Sequence, residues 1–259
     1  MQTIQTSAEM PKLALVTGAA RRIGRAIALD LAQQGFAVAV HYAGSAAEAA
    51  SLVAEIQAMQ GHAAAFQAEL TEESQVLALA ASVQAWGGPV GLLVNNASLF
   101  ERDEVDSASR ASWDRHMEAN LRAPFVLSQA MAAGLPSDAR GLIINLLDQR
   151  VWNLTPHFTT YTLSKAGLWT LTQTMALALA PRIRVVGIGP GPALPSIRQT
   201  QAQFDAQCAA TPLRCGTSPE EICAAVRFAL SAPSFTGQMI ALDGGQHLNW
   251  SPGAGLCEE

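Results

Sequence analysis

Lysine and tyrosine are scarce in this chain of 259 residues, which holds two tyrosines and two lysines beside 14 arginines. A chain that takes its positive charge from arginine makes little use of lysine as a general surface residue. Lys165 nevertheless follows Tyr161 by one helical turn, so one of the two lysines and one of the two tyrosines stand together. Residues 161–165 are therefore a candidate site.

An excess of positive charge and long apolar runs are also lacking. The net charge is −5 and the pI about 5.5, so we expect no nucleic acid and no membrane partner. The first ten residues lack the basic start and apolar core of a signal peptide, and no apolar run is long enough to span a bilayer. With 49% hydrophobic residues and no internal linker, we expect a globular protein with one domain over residues 1–259. Because neither a signal peptide nor a membrane span is expected, we predict that it is cytoplasmic.

The few cysteines and histidines do not form a recognisable site. Cys208, Cys215, Cys223 and Cys257 match neither a redox nor a zinc spacing, so we expect free thiols in a reducing compartment. His41 and His157 stand singly, and no metal is expected.

Strand-like and helix-like segments alternate along the whole chain. The strand-like runs are 12–18, 36–42, 62–70, 90–96, 141–147, 182–188 and 237–245. The helical patterns are 22–34, 45–61, 71–86, 107–134, 158–180 and 218–231. This alternation predicts an α/β fold, a doubly wound and mostly parallel sheet of about seven strands with helices on both faces. Such sheets bind ligands at the carboxyl ends of their strands.

Capping patterns and one long irregular stretch complete this outline. Ser45 with Glu48, and Ser218 with Glu221, predict capping boxes at two helix starts. Residues 189–217 are rich in proline, glycine and glutamine with weak periodicity, which predicts a mobile loop that closes over a substrate.

The segment TGAARRIGRAIA, residues 17–28, joins the first strand to the first helix. Gly18 allows a tight turn and close approach of a ligand, and Gly24 allows the helix to pack closely, so a phosphate can sit at the helix N-terminus. The alternative is a plain packing turn. The second strand ends in HYAGS without the carboxylate that binds the ribose of NAD, while Arg21 and Ser45 are available, which favours NADP(H) unless Arg21 is an ordinary surface residue.

The chemistry of the Tyr161–Lys165 pair suits proton transfer. Residues one helical turn apart share a face. A phenol is a weak acid with a pKa of about 10, and a nearby ammonium stabilises the phenolate. Asp148 stands at the end of the preceding strand, so its carboxylate is expected at the same edge of the sheet as Tyr161 and Lys165. The alternative is that Asp148 only caps the end of the strand.

Several motifs together resemble the short-chain dehydrogenase/reductase family, in order over about residues 11–248. They are TGAARRIGRAIA, NNAS at 95–98, Asn120, YTLSK at 161–165, GPG at 189–191 and LDGG at 242–245. Within the family the chain is most similar to pteridine reductases and dihydromonapterin or dihydrofolate reductases, because Asp148 replaces the usual catalytic serine and NNASLF, HYAGS and DGGQHL match their segments.

The resemblance implies a Rossmann-type fold, hydride transfer with NADPH, a pterin-like substrate and a homotetramer built on helices 107–134 and 158–180 and the last strand. It implies catalytic roles for Asp148, Tyr161, Lys165 and Asn120. It implies cofactor contacts from Gly18, Arg21, Arg22, Ile23, Ser45, Glu69, Leu70, Asn96, Ala97, Ser98, Tyr161, Lys165, Pro190 and Gly191. It implies substrate contacts from Arg22, Asp148, Tyr161 and Phe100, which would stack on the pterin, with a core aromatic as the alternative for Phe100.

Some positions depart from the family pattern. Ala43 and Gly44 stand where pteridine reductases often place side chains on the 2′-phosphate, and Glu69 stands where aspartate is common. Two further functions stay open: a short-chain reductase of a ketone or other carbonyl, in which Asp148 is an incidental replacement, and an NADP-binding protein without catalysis.

Overall fold

The computed structural model describes residues 9–196 and 198–248. Its seven strands form one parallel sheet in the order β3-β2-β1-β4-β5-β6-β7. The strands are β1 (Leu13–Val16), β2 (Ala37–Tyr42), β3 (Ala63–Gln67), β4 (Leu92–Asn95), β5 (Gly141–Leu146), β6 (Ile183–Pro190) and β7 (Met239–Leu242). The helices are α1 (Arg22–Gln33), α2 (Ala46–Ala58), α3 (Glu73–Gly87), α4 (Arg110–Met117), α5 (Ala123–Gly134), α6 (Thr159–Ala178), α7 (Gln201–Ala209) and α8 (Pro219–Ser231).

Helices cover both faces of the sheet, as predicted. Every residue of β1, β4 and β5 is buried, which explains why these strands read as continuous apolar runs rather than alternating ones. One core cluster joins α1, α2 and α8 to the sheet through residues such as Ile27, Leu52 and Val226. The other joins α3, α5 and α6 through residues such as Val83 and Leu127. The predicted doubly wound α/β fold is confirmed.

The strand order reverses between β1 and β4, which are neighbours in the sheet. At this point the connections after the two strands diverge to opposite sides and leave a crevice at their carboxyl ends. The turn after β1, the NNAS segment after β4 and Asp148 after β5 all lie along that edge.

Two local predictions are wrong. The segment 189–217 is not all loop, because α7 lies inside it and begins with a capping box between Thr200 and Gln203. Ser45 occupies the N-cap position of α2, but its side chain makes no capping hydrogen bond. The helical pattern predicted at 107–134 is present, and a π-helical turn at Glu118–Arg122 joins α4 to α5 within it.

Other local features agree with the sequence. Ser218 and Glu221 form both bonds of the predicted capping box at α8. Cys208, Cys215 and Cys223 are free thiols, while Cys257 lies outside the described residues, as do the two ends of the predicted domain at 1–8 and 249–259. Within the described ranges, none of the helices combines the length and apolar character needed to cross a bilayer.

Candidate active site

The turn after β1 is built on contacts between backbone groups and two polar side chains. Gly18 has φ +62°, a left-handed conformation that favours glycine, and a Cβ there would lie 3.0 Å from Ala97 Cα. Thr17 Oγ1 accepts hydrogen bonds from the backbone N–H groups of Asn96 and Ala97, both at 3.0 Å. Asn96 Nδ2 donates to the carbonyls of Thr17 and Gly18 at 2.8 and 3.2 Å. The turn is thereby fixed to the segment after β4.

Gly24 allows α1 to approach this turn. A Cβ at Gly24 would lie 2.5 Å from Asn96 Nδ2 and would also collide with the Gly18 carbonyl oxygen. The glycine spacing therefore serves close packing of helix on turn, as predicted, and it brings the first amides of α1 to the crevice.

His41 ties the same turn to the neighbouring strands. Its Nδ1 accepts a hydrogen bond from the Gly18 N–H at 3.0 Å, and its Nε2 lies 3.1 Å from the Ala68 carbonyl oxygen. These two partners require a neutral ring with its proton on Nε2. Burial lowers the pKa of His41, with the Ala68 bond and Glu69 acting in the opposite direction. His41 is thus a structural residue of the turn.

The residues expected near the adenosine end lie after β1, β2 and β3. Arg21 is exposed, with Nη1 3.7 Å from Glu48 Oε1. Ser45 begins α2, and Glu69 is exposed with its carboxylate accepting from the Thr71 N–H at 3.3 Å. Leu70 is buried in the core cluster under α3 and α5.

Tyr161 and Asp148 meet at the carboxyl end of β5. The Tyr161 hydroxyl donates to Asp148 Oδ2 at 2.9 Å. Tyr161 is 6% exposed and lies in the first turns of α6, whereas Asp148 directly follows β5 and also accepts from the Arg150 N–H at 2.8 Å. The two groups predicted to share a proton are within hydrogen-bond distance.

Lys165 lies behind this pair. Its Nζ donates to the Leu146 carbonyl oxygen at 2.7 Å and lies 5.9 Å from the centre of the Tyr161 ring. Burial lowers the pKa of Lys165 to about 8, and Asp148 acts in the opposite direction. The Lys165 side chain is therefore mostly cationic at neutral pH and loses its charge in mild alkali. At neutral pH it is close enough to Tyr161 to stabilise a phenolate.

Asn120 is fully buried in the π-helical turn and connects three segments. Its Oδ1 accepts from the Leu99 N–H at 2.8 Å, and its Nδ2 donates to the Leu99 carbonyl at 2.9 Å and to Ser164 Oγ at 3.0 Å. Ser98 Oγ also donates to Asn120 Oδ1 at 3.3 Å. These contacts join the segment after β4 to α6.

An aromatic stack forms one wall of the site. Phe100 lies parallel to Phe158 at 4.4 Å and meets the Tyr161 ring edge-on at 4.7 Å. The guanidinium groups of Arg150 and Arg198 lie 5.5 and 5.3 Å from the centre of the Phe100 ring. Phe100 is half-buried, packs with its ring on Phe158 and lines the cleft.

Asp103 holds Phe158 and the start of α6. Phe158 has φ +61°, which is unusual for a residue with a side chain, and its ring is 1% exposed. The Asp103 carbonyl accepts from the Phe158 N–H at 2.9 Å, and the Asp103 carboxylate accepts from the Thr160 N–H at 3.0 Å and from the Ser112 and Thr160 hydroxyls. Burial raises the pKa of Asp103, but the hydrogen bonds from Ser112 and Thr160 outweigh it and lower the pKa.

Arg22 reaches the segment after β6 rather than a second charged group. Its Nη1 and Nη2 donate to the carbonyls of Pro195 and Leu194 at 2.9 and 3.2 Å. These bonds hold the start of the predicted substrate loop against the turn after β1.

Comparison with known proteins identifies the family. A family model described as short chain dehydrogenase matches residues 12–206. The chain belongs to the short-chain dehydrogenase family. The structure of FolM alternative dihydrofolate reductase 1 from Brucella canis, complexed with NADP, is 47% identical with a TM-score of 0.91, over 94% of this chain and 98% of that one.

Two further relatives widen the comparison. A blue fluorescent protein from a metagenomic library, in complex with NADPH, is 31% identical with a TM-score of 0.85, over 91% of this chain and 97% of that one. The 3-oxoacyl-acyl-carrier-protein reductase FabG of Staphylococcus epidermidis is 37% identical over 167 residues, 64% of this chain and 68% of the relative. The neighbours of this short-chain dehydrogenase thus include proteins named for different substrates.

A cleft with about 920 Å³ of empty space runs along the carboxyl edge of the sheet in this short-chain dehydrogenase. It reaches from the turn after β1 to the candidate catalytic groups, and its lining includes Ile23, Asn96, Ser98, Asp148 and Tyr161. Pro190 ends β6 and Gly191 packs on Asp243, where a Cβ would lie 2.7 Å from Asp243 Cα. The cleft brings the turn after β1 together with Asp148, Tyr161 and Lys165, an arrangement that fits a dinucleotide beside a small substrate.

Four residues of the site were not predicted from the sequence. Thr17 begins the TGAARRIGRAIA segment, so that motif was the available signal for it. Asp103 and Phe158 carry no motif signal, because their roles depend on partners from distant parts of the chain. Arg150 stands two residues after Asp148, and a guanidinium so close to a predicted catalytic acid was the available signal.

Proposed function

We propose that this protein reduces a pterin of the dihydropterin, biopterin or folate type with NADPH. The observation that carries the proposal is the 2.9 Å hydrogen bond from the Tyr161 hydroxyl to Asp148, with Lys165 behind it. A carboxylate at this place offers a charged acceptor to the amino and N–H groups of a pterin. The serine that the family usually has there suits a carbonyl oxygen instead.

The choice of NADPH rests on two supports. The structural neighbours from Brucella canis and from the metagenomic library were crystallised with NADP and NADPH. In this chain the end of β2 carries no carboxylate for a ribose hydroxyl, and exposed Arg21 is available to a phosphate. The ion pair between Arg21 and Glu48, at 3.7 Å, is exposed and weak, so the Arg21 guanidinium can leave it to bind a phosphate.

Each residue of the site has a separate role in the reduction of a C=N bond of the substrate. Bound NADPH would supply the hydride that the ring carbon gains. Tyr161 donates the proton that the adjacent nitrogen gains, so one hydride and one proton complete the N–H and C–H bonds. Lys165 stabilises the phenolate left behind, and Asp148 orients the phenol and the substrate. Phe100 supplies an aromatic surface on which a flat ring can stack.

The direct test follows NADPH oxidation with dihydrobiopterin, dihydrofolate and quinonoid dihydropterin. We expect turnover with at least one of them. Tyr161→Phe removes the proton donor and should lower kcat by about 10²- to 10⁴-fold with NADPH binding retained. Turnover of ketones together with none of the three pterins contradicts the proposal.

A carbonyl reductase is the second candidate, and the relation to the FabG protein favours it. Asp148→Ser separates the two functions. For a pterin reductase we expect kcat/KM with the pterin to fall by about 10²-fold or more, because the charged acceptor is lost. For a carbonyl reductase the same change should preserve or increase ketone reduction. Unchanged thermal unfolding and NADPH affinity are the controls.

A further inference from the structure

Arg150 engages both oxygens of Asp148. Its backbone N–H donates to Oδ1 at 2.8 Å, and its Nη1 lies 3.2 Å from Oδ2, the oxygen that also accepts the Tyr161 hydroxyl at 2.9 Å. The two side chains are only 11% and 13% exposed, so water and salt screen the pair weakly. Arg150 therefore fixes the orientation of the Asp148 carboxylate, with Oδ2 directed toward the Tyr161 hydroxyl.

This arrangement decides which groups the acid can bind. A guanidinium and a backbone N–H can only donate hydrogen bonds, so both oxygens of Asp148 act as acceptors toward Arg150. An ionised carboxylate only accepts hydrogen bonds. A substrate carbonyl oxygen beside the carboxylate is repelled, because both groups carry full or partial negative charge and neither donates a hydrogen bond. A substrate amino or ring N–H group instead gains a charge-assisted hydrogen bond.

Resting on the proposed function, we propose that Arg150 is a positioning and specificity-determining residue. It holds the Asp148 carboxylate as a hydrogen-bond acceptor beside Tyr161, so that the site takes flat heterocycles with N–H donor edges, of the aminopyrimidine class, and disfavours simple carbonyl compounds. Tyr161 is then the proton donor, and Asp148 binds without donating.

The surrounding charges supply a matched control. Among the residues that the structure describes, the charged or titratable groups facing Tyr161 and Asp148 include Arg150, Lys165 at 5.9 Å and His116 at 6.2 Å from the Tyr161 ring centre. Arg198 stands over the Phe100 ring at 5.3 Å, much as Arg150 does at 5.5 Å, but its Nη2 donates to the Phe100 carbonyl at 2.7 Å. Arg198→Met therefore removes a similar charge near the same rings and leaves the bonds from Arg150 to Asp148 in place.

The first experiment needs no substrate. In a Tyr42→Phe background Tyr161 is the only tyrosine, so its phenolate absorbance reports one group. Arg150→Met should move the midpoint of that titration upward by about one pH unit or more, because the charge of Asp148 then opposes phenolate formation without compensation. Arg150→Lys should recover most of the shift. Equal midpoints in Arg150→Met and Arg198→Met overturn the positioning role.

The second experiment measures selectivity as the ratio of kcat/KM for dihydrobiopterin to that for a 3-oxo ester. We expect the ratio to fall at least about tenfold in Arg150→Met, to recover in Arg150→Lys, and to change much less in Arg198→Met. An unchanged ratio in Arg150→Met overturns the specificity role. A wild-type protein that reduces no pterin refutes the proposed function, while the phenolate titration still decides whether Arg150 controls Asp148 and Tyr161.

Discussion

At the scale of single residues, the behaviour of this site depends on groups whose charge is set by burial. Lys165 is 2% exposed and His41 is 1% exposed, and burial disfavours the charged form of each. The consequences differ, because Lys165 acts through its charge and His41 through its neutrality. We therefore expect Lys165 to make activity fall in alkali and His41 to make stability fall in mild acid.

Lys165 predicts an alkaline limit to activity. Burial lowers its pKa from 10.5 to about 8, so the ammonium is lost as the pH rises through about 8. We expect kcat/KM to fall about tenfold per pH unit beyond that point, because the phenolate loses its stabilising charge. A pH–rate profile measures this. Lys12→Met changes the other lysine, which directly precedes β1, and should leave the alkaline decrease in kcat/KM unchanged. A profile that stays flat up to pH 10 contradicts the role of Lys165.

His41 predicts a loss of stability in mild acid. Its folded-state pKa lies below 6.5, so the folded protein binds fewer protons here than the unfolded chain. Its contribution is fully present above about pH 6.5 and declines as the pH falls toward the folded-state pKa.

The variant His41→Gln tests this directly, because its amide can accept from Gly18 and donate to the Ala68 carbonyl without titrating. We expect the free energy of unfolding of His41→Gln to fall less steeply below pH 6.5 than that of the wild type, by at most about 1.4 kcal/mol per pH unit. Chemical denaturation across the pH range measures it. His62→Gln, at an exposed site, is the matched control, and equal slopes for His41→Gln and wild type would show that His41 does not titrate with unfolding.

At the scale of elements, helix α6 depends on a cap from a distant segment. The N-cap residue Phe158 has no side-chain cap of its own, and Asp103 supplies the acceptors for the first amides. Because Tyr161 lies in that first turn, the placement of the phenol against Asp148 depends on Asp103, which comes from the connection between β4 and α4.

Asp103→Ala should therefore affect both stability and rate. We expect the free energy of unfolding to fall by about 1–3 kcal/mol, because buried amide and hydroxyl donors lose their acceptor, and kcat to fall with it. Asp103→Asn, which keeps one acceptor oxygen for the Thr160 N–H, should lose less. Urea denaturation and steady-state kinetics measure the two effects.

The neighbouring half-buried acid, Glu104, gives the control for this element. Glu104→Ala removes contacts with His157 and Arg102 near the surface and should leave stability and kcat almost unchanged. If Glu104→Ala and Asp103→Ala behave alike, the cap on α6 is not the reason for the effect.

At the scale of the whole molecule, α6 carries an exposed stripe that fits the expected homotetramer. Leu163, Gly167, Thr170, Thr174 and Leu177 recur at helical spacing along it, and Leu163 and Leu177 are 44% and 84% exposed. Beside it an apolar groove is lined by Leu121, Phe125 and Leu171. Small and apolar residues on an uncovered helix face are typical of an interface between copies of one chain.

Thr174→Arg tests that expectation. A bulky charge in the middle of the stripe should break the assembly, so we expect a tetramer for the wild type and a smaller species for the variant in sedimentation equilibrium. Gln173→Arg, one residue away on an exposed part of the same helix, is the control and should keep the wild-type mass. A monomeric wild type contradicts the predicted homotetramer.

The sequence by itself determined the order of elements and the candidate catalytic motif. Buried parallel strands require continuous apolar runs, and helices packed on them require helical spacing, so local patterns predicted all seven strands and the helices other than α7. The spacing of Tyr161 and Lys165 on one helix also follows from local geometry alone. The missed α7 carried its own local signal, the Thr200–Gln203 capping box, within a stretch of weak periodicity.

Only the tertiary structure decided which distant groups meet. Asp103 with α6, His41 with Gly18, and Phe100 with Phe158 join segments separated along the chain, and no local pattern encodes such pairs. The engagement of both Asp148 oxygens by Arg150 also depends on the backbone conformation after β5. The physical reason is that hydrogen bonds and ion pairs depend on ångström distances, which are set when the layers pack against each other and not by the order of residues.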